Sequence, residues 1–306
     1  FSITLFFTSI IFLPTFKKTD NRNFKLYNSS FDLKTLSILI ILNIILLLTL
    51  VGVKLSYINF AGYLAYSIFV LYFFINFKNF IFEKNLKYFL IVFILIVFIH
   101  AIDLGYNLNL FWDAQKMWLP KALIFYNDGA VSDLKDTAYS HYSFFGSLIW
   151  AFFWKVSNIS NEYIGRIFYL VIFCFALFNF LDLSNAKLEK KIIYFLLLNL
   201  LIYNYWHFRG TQEILVFSFL LVCAKYLFKI FFQKELNIHN LIFVFLSLNL
   251  IIWTKNEGIL LGLIIIFLFA IFLKKNVSYK IMISTIFLIL VFTRFILFKF
   301  YGLDTN

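Results

Sequence analysis

Residues 111–122 read Phe111-Trp112-Asp113-Ala114-Gln115-Lys116-Met117-Trp118-Leu119-Pro120-Lys121-Ala122, the centre of a polar interval from Asp103 to His141 set between long apolar runs. An ordinary loop between membrane helices has no need of acids, amines and tryptophans packed together, whereas a reaction site at a bilayer surface does. The interval also decides the topology, because the apolar piece after it, 142–156, falls short of the roughly 20 residues that a spanning helix needs. Whether that piece crosses sets the side on which every later loop lies.

Working outward, the composition excludes a soluble globule: 63% of residues are hydrophobic and only 14% charged, against an apolar share nearer half in soluble domains. The net charge of +12 would suggest nucleic acid in a soluble chain. Between hydrophobic spans it is what the positive-inside rule produces, so no nucleic-acid partner is expected. Cys174 and Cys223 sit inside apolar runs and read as packing residues. The chain opens at Phe1 within one apolar run and stops at Asn306 just after another, so it reads as a fragment.

Candidate spans are 1–16, 36–54, 61–77, 88–102, 163–181, 192–208, 214–232, 239–254, 258–273 and 281–299. Lys17, Lys18, Arg22, Lys25 and Lys34 crowd the first loop and Lys78, Lys84 and Lys87 the third, which makes both cytoplasmic and puts 103–141 outside. The later basic loops, 187–191, 225–234 and 274–280, all fall inside only if 142–156 does not cross. The expected fold is therefore all-α, a polytopic membrane helical bundle with about 10 transmembrane helices and a re-entrant or interfacial helix in the first large outer loop. It divides into N-terminal transmembrane helices (1–102), an outer catalytic loop with juxtamembrane helices (103–162) and the transmembrane helices of the core (163–306).

This topology gathers polar groups on the outer face: the 103–141 loop, the turn His207-Phe208-Arg209-Gly210-Thr211-Gln212-Glu213, and Trp253-Thr254-Lys255-Asn256-Glu257-Gly258. The inner face collects almost only lysines. Asp113, flanked by Phe111, Trp112 and Trp118, suits a general base with a raised pKa; with equal weight it suits a helix cap beside a tryptophan belt. Pro120 must kink or end the helical stretch that follows. Lys121, Arg209 and Lys255, with Lys116, could hold a phosphate or pyrophosphate headgroup, or snorkel to the interface, and Arg209 could instead pair with Glu213 on one helix face. Asp103, His141 and Glu257 complete the candidates, with Gly258 supplying backbone freedom to a tight turn. No nucleophile triad, glycine-rich phosphate loop or Cys/His metal spacing occurs in the sequence.

The order of these motifs, Trp112-Asp113 with Trp118-Leu119-Pro120-Lys121-Ala122, then Tyr139-Ser140-His141-Tyr142, Gly210 to Glu213 and Lys255-Asn256-Glu257-Gly258, resembles the GT-C superfamily of membrane glycosyltransferases. That group includes protein mannosyltransferases and the aminoarabinose transferases of lipid A, and the likeness is nearest to their bacterial relatives with a "WD…W…KA" loop and a "KNEG" turn, over roughly residues 100–270. Ser143 and Phe144 stand where the family has a proline pair, and Glu213 where an Asp is commoner. The resemblance implies inverting transfer of a sugar from a polyprenyl-phosphate donor to a glycan, lipid or protein acceptor at the outer, periplasmic face of a bacterial inner membrane. It makes Asp113 the catalytic base and Glu213 its supporting acid. It requires no cofactor, although Asp113 with Glu213 could hold a divalent metal. The rival readings are a lipid-linked polysaccharide polymerase or ligase, which would use Arg and His in a large later loop, and a transporter or flippase, which would show charges at mid-membrane in two related halves.

Overall fold

The computed structural model describes residues 30–75, 84–106, 108–184, 186–202, 208–272 and 277–303. Among them there is no strand, and the chain folds as a helical bundle. In chain order the helices are α1 (Ser30–Leu50), α2 (Leu55–Ile75), α3 (Lys84–Tyr106), α4 (Leu119–Tyr126), α5 (Phe145–Ser157), α6 (Tyr163–Leu181), α7 (Leu188–Ile202), α8 (Glu213–Phe231), α9 (Ile238–Thr254), α10 (Glu257–Phe272) and α11 (Val277–Phe300). Long apolar runs form helices because only a helix or a closed barrel satisfies every backbone N–H and C=O without water. Four helices are long and apolar enough to cross a membrane, over Asp32–Leu50, Tyr163–Leu181, Glu213–Phe231 and Val277–Phe300, with shorter apolar helices at Ile91–Tyr106, Ile238–Thr254 and Glu257–Phe272. The span expected at 1–16 and the basic residues Lys17, Lys18, Arg22, Lys25, Lys78, Lys274 and Lys275 lie outside the described residues, as does His207.

Two helices form the centre. α6 is buried from Ile164 to Asn179 at every residue but Ile167 and touches α1, α3, α5, α7 and α8; α9 touches α1, α5, α8, α10 and α11. A helix apolar all round is one enclosed by others, and α6 is that helix. By contrast α3 and α11 keep one row inside, Phe93, Ile96 and His100 in α3, while Ile94, Leu95, Phe98 and Ile99 stay open.

Contacts sort the helix ends into two groups. At one end, the backbone N–H of Ser56 donates to Asp128 at 2.8 Å, Lys155 pairs with Asp128 at 2.7 Å, Lys255 pairs with Glu213 at 2.6 Å, and the Tyr301 hydroxyl donates to the Leu50 carbonyl. The turn after α1 thus meets the turn before α5 and the end of α11, and the turn after α9 meets the start of α8. The apolar piece after the polar interval becomes α5, which is covered almost all round. The first turn of α5 meets Gln212 and Tyr169, through Gly146, and its last turn meets Asp128 through Lys155.

The opposite end differs from the expected run of lysines. Asp32 opens α1 fully buried, and its carboxylate accepts from Lys225 at 2.7 Å, Tyr226 at 2.8 Å and Lys229 at 3.4 Å. Asp182 takes Lys191 at 2.7 Å and reaches Lys225 at 3.7 Å. Lys225 and Lys229 are not in a loop, as the sequence reading had them, but one turn apart in α8. Lys34 is likewise buried in α1.

Candidate functional site

The polar interval folds into a short helical arm. One turn of π-helix, Ala114–Trp118, leads straight into α4, with the Leu119 N–H bonding back to the Ala114 carbonyl. Pro120 explains the widened turn: it has no N–H to give, so the chain absorbs the missing bond by a bulge instead of ending the helix. Asp113 stands at the head of this arm, half-buried, and its side chain makes no capping bond, so the capping role is not realised. Of the aromatics expected to enclose it, Phe111 (37%) and Trp112 (56%) are exposed, whereas Trp118 turns into the core against the edge of Tyr142.

The second wall is the segment from Phe208 to Glu213. The Phe111 N–H donates to the Arg209 carbonyl at 3.1 Å, which fastens this segment to the head of the arm. Gly210 adopts φ +88°, and a Cβ there would lie 2.8 Å from the Ala114 Cβ and 2.9 Å from the Trp150 ring, so only glycine lets the two segments meet. The registry is held from below by Arg166, fully buried in α6, which donates to the Phe208 carbonyl at 3.1 Å and the Leu108 carbonyl at 3.4 Å. Its remaining donors form a fork on Glu162, at 3.0 and 2.8 Å. Next to it the Gln212 amide donates to the Tyr169 hydroxyl at 3.2 Å, which donates to the Gly146 carbonyl at 2.8 Å. Because Arg209 precedes α8, it does not share a helix face with Glu213.

The third wall is the turn between α9 and α10. Lys255 leaves α9 in extended backbone, φ −143° and ψ 156°, and its ammonium meets Glu213 at 2.6 Å and Glu257 at 3.8 Å. Burial works against the charged amine, but the bond to Glu213 and the fields of Glu213, Glu257 and Asp113 outweigh it and hold Lys255 above its ordinary pKa. Gly258 serves closeness, not backbone freedom: its φ is not positive, and a Cβ would strike the Ile251 carbonyl. Asp113, Glu213, Lys255 and Glu257 are thereby brought within each other's field, and the Arg209 backbone is fastened at the head of the arm beside Asp113.

Other expected members are not part of that grouping. Lys121 is fully buried and donates to the carbonyls of Tyr139 at 2.9 Å, Ser140 at 3.5 Å and Tyr142 at 2.5 Å; it braces the loop and is not open to a phosphate. Burial, reinforced by the charge of Arg294, lowers its pKa to about 7. His141 packs on Tyr142 with ring centres 4.6 Å apart, and burial followed by the Lys121 charge lowers its pKa. Lys116 is exposed on the π turn. Asp103 lies one turn along α3 from His100, whose ring bonds Asn199 at 2.6 Å. Among the described residues no three His, Cys, Asp or Glu side chains group as metal ligands. The Glu213 carboxylate faces the Lys255 ammonium.

No family model, curated protein or solved structure matches this chain. The site rests on its own geometry. Four residues that shape it, Glu162, Arg166, Gln212 and Arg294, were not singled out from the sequence. Two of them carried a signal: Arg166 and Arg294 each interrupt a long apolar run, and an ionisable residue at such a position is a functional candidate by default.

Proposed function

We propose that the chain is a membrane glycosyltransferase that moves a sugar from a polyprenyl-phosphate donor to an acceptor at the outer face of the membrane, with Asp113 as general base. The observation that carries the reading is the grouping of an uncapped carboxylate, Asp113, with Glu213, Lys255 and Arg209 at one end of a helical bundle. In the proposed reaction an acceptor O–H or N–H gives its proton to the Asp113 carboxylate as its lone pair attacks the anomeric carbon. The bond from that carbon to the phosphate oxygen breaks, its electron pair leaves with the polyprenyl phosphate, and the configuration at carbon inverts. Lys255 and Arg209 face the phosphate charge, and Glu213 keeps Lys255 charged and directed. A lipid-linked donor reaches this end sideways, through the open apolar rows of α3 and α11. In this reading the protein is integral to a bacterial inner membrane with about 10 spans, α5 is re-entrant from the periplasmic side, and no cofactor is required.

The test replaces Asp113 with Asn and follows sugar transfer in membranes at matched protein level. The expected fall is about 10²- to 10⁴-fold, the usual worth of a positioned base. Unchanged transfer overturns the catalytic assignment.

A further inference from the structure

α11 buries one stripe, Ile283, Phe287, Val291, Arg294 and Phe298, at helical spacing. Arg294 is the one polar member, and it is only 3% exposed. For packing alone an apolar side chain would be cheaper, since a buried guanidinium has lost its water and needs its donors satisfied. Its donors converge on a single turn. One terminal nitrogen donates to the Ile252 carbonyl at 2.6 Å and the Lys255 carbonyl at 3.2 Å, and the other donates to the Asn256 side-chain oxygen. That oxygen also accepts from the Ser143 hydroxyl at 3.2 Å, which links the turn to the start of α5. None of these partners is charged, so neutralising a partner is not what the guanidinium does there. Ile252 lies among the last residues of α9, where carbonyls have no partner within the helix and a cation is favoured by the helix dipole. Arg294 acts as a C-terminal cap delivered from a neighbouring helix.

We propose that Arg294 is a positioning residue for Lys255: by holding the carbonyls at 252 and 255 and the Asn256 side chain, it sets where the Lys255 ammonium points and keeps it on Glu213. The part that Lys255 plays in catalysis rests on the glycosyltransferase reading, but its placement by Arg294 does not. Loss of the guanidinium frees the end of α9, the extended backbone at Lys255 relaxes, and the 2.6 Å contact with Glu213 opens.

The experiment labels the purified full chain with acetic anhydride and reads the Lys255-to-Lys116 acetylation ratio by peptide mass spectrometry across pH. Lys116, exposed on the π turn, is the internal control. In Arg294→Gln the ratio at pH 8 is expected to rise about tenfold, the gain in free amine for each unit by which an ammonium's titration falls. Arg294→Lys, with one centre of donors, should restore part of the difference. Asn256→Ala, which removes one acceptor, should raise the ratio less and in the same direction, and it decides the matter if Arg294→Gln does not fold. An unchanged ratio in the folded variants overturns the proposal. Sugar transfer measured on the same samples separates the two readings: a wild type without transfer sinks the glycosyltransferase assignment, while the labelling ratio still decides Arg294.

Discussion

The two ends of the bundle handle charge in opposite ways. At the Asp32 end, acids and amines alternate through Lys229, Asp32, Lys225, Asp182 and Lys191, each within reach of the next, and Asp32 with Lys225 is almost wholly out of water. At the Asp113 end the side chains of Glu213 and Glu257 are 51% and 66% exposed around Lys255; of the buried basic side chains there, Arg166 is forked on Glu162, while Lys121 and Arg294 are held by carbonyls and an amide. A closed network in a low dielectric acts as a staple, since any missing member leaves a charge with no compensation. An open arrangement keeps carboxylates within reach of a ligand. The contrast suits the first to structure and makes the second the candidate site of the proposed function.

The strongest way to break that contrast is Asp32→Asn, which leaves Lys225 and Lys229 buried without their carboxylate. Folding should lose about 3–5 kcal/mol, seen as a lower thermal midpoint in detergent, while transfer per folded molecule stays the same. A loss below about 1 kcal/mol would mean that the network is not a staple. Gly146→Ala drives a methyl into the buried Gln212 side chain and should cost about 1–3 kcal/mol as an overpacked contact, with the hydrogen bond between Gln212 and Tyr169 lost. A midpoint equal to wild type would show that Gln212 can swing aside.

Lys121 sharpens the comparison through pH. Its folded pKa of about 7 lies below the ordinary 10.5, so between these values the unfolded chain binds a proton that the folded chain does not. Stability should therefore rise with pH across that window, by up to about 1.4 kcal/mol per unit, relative to Lys121→Met. A midpoint difference that stays flat from pH 7 to pH 9 would count against a neutral buried amine. The smallest effect belongs to Glu213→Gln. The half-exposed pair with Lys255 contributes less than about 1 kcal/mol to stability, and the variant should show instead as faster acetylation of Lys255.

Much of the architecture was legible in the chain. The apolar runs at 163–181, 239–254 and 258–273 are found as helices within a residue or so, because run length and the cost of unsatisfied backbone leave few alternatives. The turns that carry Asp113, Glu213 and Lys255 were expected on one side, and Lys255 is found 2.6 Å from Glu213 and within the field of Asp113. Partners were less legible. Lys121 looked like a ligand group and is a brace, since a sequence does not show which carbonyls will surround an amine. Arg209 with Glu213 looked like a helical pair, but a turn precedes α8 and Lys255 arrives from elsewhere. Lys225 and Lys229 looked like loop charges because Asp32, far away in sequence, was not seen beneath them.

What the sequence determined by itself was the helical, membrane-suited character of the chain, since that follows from local hydrophobicity. Only the tertiary structure decided which charges are enclosed and which remain open. Burial and pairing depend on residues that approach from distant helices, as Arg294 does at Lys255, and that approach is set by packing, not by spacing along the chain.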